Sequence, residues 1–153
     1  QSLFWFKPPP QSEAALSAIP IFLLEMAPEA FLYGFPLRNG LFKVALHQPG
    51  KPLDPAQLPD QVVCAAEINE MAHWLAQYLR FPTGPCVNTQ VCMYTNTPDG
   101  HFRWYNVPQM PRVLALSPCS GHGFKFASVM GELCQRWACE EDLVYDLQLF
   151  VAH

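Results

Sequence analysis

At 153 residues, half of them apolar, the chain suits one domain and can bury a sizeable core. A formal net charge of −4 and a pI near 5.6 argue against nucleic acid as the main partner, which needs a basic stripe. No apolar run approaches the roughly 20 residues of a membrane-spanning helix and no charged-then-apolar leader opens the chain, so a soluble protein with no membrane partner is expected.

Ser2 to Lys7 is an apolar, aromatic run with strand character, and Pro8-Pro9-Pro10 stops it. Glu13 to Ala18 fits a single helical turn ahead of Pro20, and Ile21-Phe22-Leu23-Leu24 reads as a buried strand. Leu32 to Phe35 is a further short strand, followed by Asn39-Gly40, a strong hairpin-turn signal. In the next strand, Leu41 to His47, the residues Phe42, Val44 and Leu46 share one face and Lys43, Ala45 and His47 the other. Lys43 and His47 thus point the same way, about 13 Å apart at roughly 3.3 Å per residue. A solvated outer face gives the same alternation.

Residues 48 to 60 are rich in Pro, Gly, Asp and Gln and read as a loop. From Glu67 to Leu79, Ile68, Met71, Ala72, Leu75, Tyr78 and Leu79 recur at helical spacing, predicting an amphipathic helix with Met71 and Tyr78 in the core. Arg80 to Pro85 breaks it. Val91 to Phe102 reads as a strand leading into a tight turn, with Pro98 and Gly100 supplying the backbone angles and Phe102 to Tyr105 running back as the second arm of a hairpin. Arg112 to Leu116 is a short buried strand. Ser120-Gly121-His122-Gly123-Phe124-Lys125-Phe126 reads as a strand-to-helix junction whose glycines let the backbone approach a bound group. Phe126, Val129, Met130, Leu133, Cys134 and Trp137 then form the clearest helical stripe, and Leu143 to Val151 reads as a last strand. Mainly strands with two moderate helices means an α+β fold class.

The six cysteines, Cys64, Cys86, Cys92, Cys119, Cys134 and Cys139, include no Cys-x-x-Cys pair and no matching histidine spacing. That predicts mostly buried, reduced thiols, no metal site and a cytoplasmic location.

Three stretches carry a resemblance. Val91-Cys92-Met93-Tyr94-Thr95-Asn96-Thr97-Pro98-Asp99, the later Ser120 to Phe126 segment, and Tyr33-Gly34-Phe35-Pro36 followed by Lys43 and His47 occur here in that family's composition and order. Together they resemble the monomeric sarcosine oxidase and N-methyltryptophan oxidase family, FAD-dependent enzymes that oxidise secondary and N-methylated amines with oxygen. The resemblance implies that Cys92 carries the flavin through a thioether, formed by attack of its thiolate. It further implies that Gly121, His122, Gly123, Phe124 and Lys125 lie over the flavin ring with Thr95 near its edge, and that Lys125 helps bind the substrate carboxylate. Lys43 is implied on the opposite flavin face, where a fixed ammonium favours the anion that oxygen becomes on reduction. His47 would shape the pocket, and Tyr33 and Tyr94 would line it. An ordinary strand cysteine, a solvated lysine and core tyrosines are the plain structural alternatives.

By the same resemblance, residues 1–98 belong to a substrate domain with a large antiparallel sheet, and 99–153 return to the FAD-binding domain. No Gly-x-Gly-x-x-Gly occurs and no initiator methionine precedes Gln1. The N-terminus is then either processed or cut, and the resemblance favours the second: it implies the C-terminal part of a longer enzyme, inactive alone, whose missing N-terminal half holds the ADP portion of the FAD. Its partners would be that half, a small amine substrate and oxygen. The competing reading is a non-catalytic remnant that binds a small ligand or a partner chain. Two departures stand out: Arg103 to Gln109 differ from the family's pattern, and Pro118-Cys119 replace a usual Gly-Phe.

Overall fold

The structure, a computed structural model, describes residues 1–28, 30–48, 50, 52–56, 62–80 and 82–151. Positions 49, 51 and 57–60 of the expected loop, and position 81 in the helix-breaking segment, lie outside the described residues. The chain divides into two compact units, Gln1–Met93 and Tyr94–His153. The architecture is α+β: a five-stranded antiparallel sheet, a two-stranded hairpin and three α-helices among the described residues.

The first unit runs β1 (Ser2–Phe6), α1 (Pro10–Ala18), β2 (Phe22–Ala27), β3 (Ala30–Gly34), β4 (Phe42–His47), α2 (Ala65–Tyr78) and β5 (Cys86–Val91). Its strands are ordered β2-β3-β4-β1-β5. Phe4, Phe6, Leu32, Phe42 and Val44 from one sheet face pack with Leu16 of α1 and Met71 and Leu75 of α2 into a water-excluded core. Ile68 and Tyr78 pack at its edge. Pleat alternation sends Leu3, Trp5, Phe31, Tyr33, Lys43, Ala45 and His47 to the opposite face. Both helices of this unit lie on the first face, so the second is free of them.

α1 is longer than the single turn expected, because Pro10 occupies its first helical position, where a missing N–H costs nothing. The proline triplet both ends β1 and starts α1. Asn39 and Gly40 adopt left-handed φ values of 52° and 73° and close a tight turn in which Arg38 and Leu41 exchange two backbone bonds of 3.0 Å. α2 is tied to β1 by Glu67, which accepts from the Ser2 hydroxyl at 2.6 Å and from the Cys64 N–H at 2.9 Å. The Ser2 bond, chiefly, holds the Glu67 carboxyl below its ordinary pKa.

β2 corrects the expectation of a buried strand. It is the outermost strand beside β3, and Ile21 and Leu23 remain 68% and 62% exposed. An apolar run of this length signals a strand but not which side of it is covered.

The second unit holds β6 (Arg103–Asn106), β7 (Leu114–Ser117), a 3₁₀ turn at Phe124–Phe126 and α3 (Ala127–Ala138). Phe102, Trp104, Met130 and Leu133 form its core, flanked by Leu114, Leu116, Trp137, Leu143, Leu147 and Phe150. The Phe102 to Tyr105 arm does not pair with the Cys92 segment. β6 pairs with β7 in the register Trp104↔Leu116, while β5 completes the larger sheet beside β1. β7 starts at Leu114 and is only half-buried, short of the buried strand expected from Arg112. Leu143 to Val151 is not a strand either: it is a series of turns ending in one parallel bridge, Trp104↔Val151. Leu143, Leu147 and Phe150 all reach the same core, which a turning segment allows and an extended one does not.

All six cysteines are free thiols, but only Cys119 is buried. Cys64 and Cys139 are exposed because each flanks a helix, before α2 and after α3. Among the described residues no helix is long and apolar enough to cross a membrane, and no group of three His, Cys, Asp or Glu side chains is placed to hold a metal ion.

Candidate functional site

The helix-free face of the first unit collects chemistry-bearing residues from three adjacent strands. Lys43 stands directly across from Trp5 of β1, and His47 across from Phe31 of β3. Tyr33 pairs with Ala45, between them along β4. The Lys43 ammonium lies 5.2 Å from the Trp5 ring centroid and 5.4 Å from that of Phe35. Phe35 in turn meets Tyr33 edge-on at 6.1 Å, and Phe31 meets His47 at 6.3 Å. Lys43 forms no ion pair among the described residues, so its charge is balanced by ring faces rather than by a carboxylate. The alternation of β4 therefore does bring Lys43 and His47 to one face, and that face is aromatic and half-buried rather than fully solvated.

Cys92 follows β5 and is half-buried. Its N–H donates to the Gln1 carbonyl at 2.8 Å and its carbonyl accepts from the Gln1 nitrogen at 2.6 Å, extending the β1–β5 ladder by one pair. Since Val91 opposes Ser2 and packs toward α2, the next residue alternates to the face of Leu3, Trp5 and Lys43. Sequence spacing could not show this, because Lys43 and Cys92 lie 49 positions apart and only the strand order joins them.

In the second unit the two other motif segments are knitted together. Ser120 N–H donates to the Thr95 carbonyl at 2.7 Å, and Ser120 Oγ lies 3.1 Å from Thr97 Oγ1 and accepts from the Thr97 N–H at 3.3 Å. Thr97 Oγ1 donates to the His101 carbonyl at 2.7 Å. Ser120 and Gly121 both take left-handed conformations, φ 62° and 76°, and the face of Gly121 that lacks a side chain is filled by the Tyr94 ring, whose Cζ is 2.6 Å from where a Cβ would stand. A Cβ on Gly123 would meet the Pro118 carbonyl. The close approach these glycines permit is thus made first by the chain itself. The sequence does not announce the Thr97–Ser120 pair, since nothing in it links two hydroxyls 23 positions apart.

His122 donates from Nε2 to the Gly100 carbonyl at 3.0 Å and stacks on Phe102 at 4.9 Å, which commits the ring to structure. Lys125 is exposed in the 3₁₀ turn ahead of α3, with its ammonium 5.5 Å from the Phe126 ring centroid. Phe124 beside it is 95% exposed. Thr95 is exposed and Tyr94 half-buried.

Arg103, in the segment where the sequence departs from the family pattern, binds Asp99 through both guanidinium nitrogens at 3.0 Å. That guanidinium, with help from the His101 N–H, pulls the Asp99 carboxyl down to about 2. Because the folded value is depressed, whatever the pair contributes is present above the ordinary carboxylate range and lost as pH falls from about 4 toward about 2. Carboxyl NMR of the protein should show Asp99 titrating near 2, and Arg103→Ala should raise its midpoint toward the ordinary 3.8. A midpoint unmoved by that substitution would contradict the assignment.

No protein-family model matches the chain. Curated relatives do. Monomeric sarcosine oxidase of Arthrobacter sp. (strain TE1826) is 34% identical over 133 residues, which is 86% of this chain and 34% of that protein. N-methyl-L-tryptophan oxidases of Yersinia pestis (strain Pestoides F) and Yersinia pseudotuberculosis serotype O:1b (strain IP 31758) are each 32% identical over 132 residues, again 86% of this chain and 35% of theirs. The chain spans about a third of the length of these relatives, and over that third it is a distant homologue of the monomeric sarcosine oxidases and N-methyl-L-tryptophan oxidases.

Proposed function

We propose that this chain is the C-terminal portion of an FAD-dependent oxidoreductase that oxidises N-methyl or other secondary amino acids. The amine loses two electrons and two protons to become an imine, and oxygen takes them up as hydrogen peroxide; water then splits the imine into aldehyde and amine. The observation that carries this reading is the helix-free sheet face bearing Lys43, His47, Tyr33 and Cys92 in a homologue of sarcosine oxidase.

A flavin supplies the two-electron chemistry; the protein positions and polarises. The residues present fit such a group. An ammonium with no carboxylate partner among the described residues, set among aromatic rings on a sheet face that the helices of its own unit leave free, suits a flat aromatic partner at which negative charge develops. On this reading Cys92 tethers the flavin by a thioether, and Gly121 to Lys125 with Thr95 form a covering loop. Lys125, exposed, pairs with the substrate carboxylate. Tyr33 and Tyr94 present phenols to the amine or carboxylate, and His47 shapes the pocket wall. Residues 1–98 act as substrate domain and 99–153 as a return to the FAD-binding domain, with the rest of the cofactor held by a preceding half that carries the Gly-rich turn.

The test is peroxide release by the complete protein over a panel of N-methyl and cyclic amino acids. Peroxide in proportion to amine consumed is the expected result. A complete protein that binds no flavin and releases no peroxide on any member would overturn the reading and leave a non-catalytic binding remnant.

A further inference from the structure

The cation on the helix-free face is held in a way its own strand does not explain. Lys43 has four rotatable side-chain bonds, and an unpaired ammonium on such a stem ordinarily samples many positions in water. Here it is flanked by two rings from different strands. Trp5 is its cross-strand partner in the β1–β4 register. Phe35, just past β3, is anchored to the same residue by its N–H, which donates to the Lys43 carbonyl at 3.1 Å. The two ring centroids lie at nearly equal distances, 5.2 and 5.4 Å, within the roughly 6 Å at which a ring quadrupole attracts an ammonium. Phe35 is itself buttressed by the edge-on contact with Tyr33. Trp5 belongs to none of the motif segments, yet it contributes the larger ring and comes from the strand that lies between Lys43 and the Cys92 end of the sheet.

We propose that Trp5 is a positioning residue: with Phe35 it clamps the Lys43 ammonium by cation–π contact and fixes where that charge stands above the sheet. This rests on the reading of Lys43 as the group that assists reduction of oxygen, but the clamp itself is a statement about this chain's own side chains. Trp5 touches neither substrate nor cofactor in this account; it acts through Lys43.

The test uses the complete protein with lysine side chains isotopically labelled at Cε, the Lys43 resonance being identified by its loss in Lys43→Met. Ring currents of the clamp should displace that resonance upfield. In Trp5→Leu most of the displacement should vanish, and in Trp5→Phe, which keeps a smaller ring, part of it should remain. In parallel, Trp5→Leu should slow the reaction of the reduced enzyme with oxygen roughly 2- to 30-fold, the range a cation–π contact spans, with the amine reaction little changed. It should have no further effect once Lys43 is already methionine. A Lys43 resonance indifferent to Trp5→Leu overturns the proposal, as does an equal loss of oxygen reactivity with and without Lys43. If the resonance moves but Lys43→Met leaves the oxygen reaction intact, the clamp stands and the assigned role of Lys43 falls.

Discussion

Cys92→Ala in the complete protein should turn every molecule of flavin from acid-stable into acid-extractable. After precipitation the unsubstituted protein is expected to keep its yellow colour in the pellet, and the variant to release it all into the supernatant. Cys92 is half-buried at the end of an edge strand, and its backbone is pinned on both sides to Gln1, so its sulfur has a defined station on the face that carries Lys43. A thioether needs a thiolate held close to an electrophilic carbon, and no other cysteine of the described residues shares that face by register: Cys86 packs toward the core of the first unit, and Cys119 toward the His101 carbonyl in the second. Alanine removes the nucleophile and little else, since the backbone bonds remain. Release of all flavin from the unsubstituted protein would end the covalent assignment.

Lys43→Met should slow the oxygen reaction of the reduced enzyme by about 10²- to 10³-fold, the loss seen when a single preorganised charge or donor is removed from a developing anion. The reaction with amine should fall far less. Stopped-flow measurement of the two half-reactions separates these effects. Methionine is the informative choice because its thioether fills the same space and packs well against the Trp5 and Phe35 rings, so the face keeps its shape while losing its charge. Parallel slowing of both half-reactions would place Lys43 in general scaffolding instead.

What could be read from the residues, and what could not, follows a physical line. Period-two alternation in β4 and the helical stripe of α2 are local properties, and both emerge in the fold with the expected faces: Phe42 and Val44 inward, Met71 and Leu75 sealed beneath them. The three motif segments were legible as individual stretches. Their grouping was not. The neighbour of Lys43 across the sheet is Trp5, set by strand order, and the neighbour of Gly121 is Tyr94, set by a loop that doubles back. Composition marks a strand without naming its partner: the Phe102 to Tyr105 arm, expected back against the Cys92 segment, pairs with β7. Leu143 to Val151 failed for a related reason: an apolar segment can satisfy a core by turning onto it as well as by extending along it.

The outermost position of β2 has a consequence beyond the architecture. A strand at a sheet border keeps one row of amides and carbonyls unpaired, and here the border also displays Ile21 and Leu23 to water. Such a seam accepts any extended segment that fits, whether from a longer version of this polypeptide or from a neighbouring molecule. Produced by itself, the chain would begin to self-associate along that seam, by sheet growth from the flank rather than by collapse of its core.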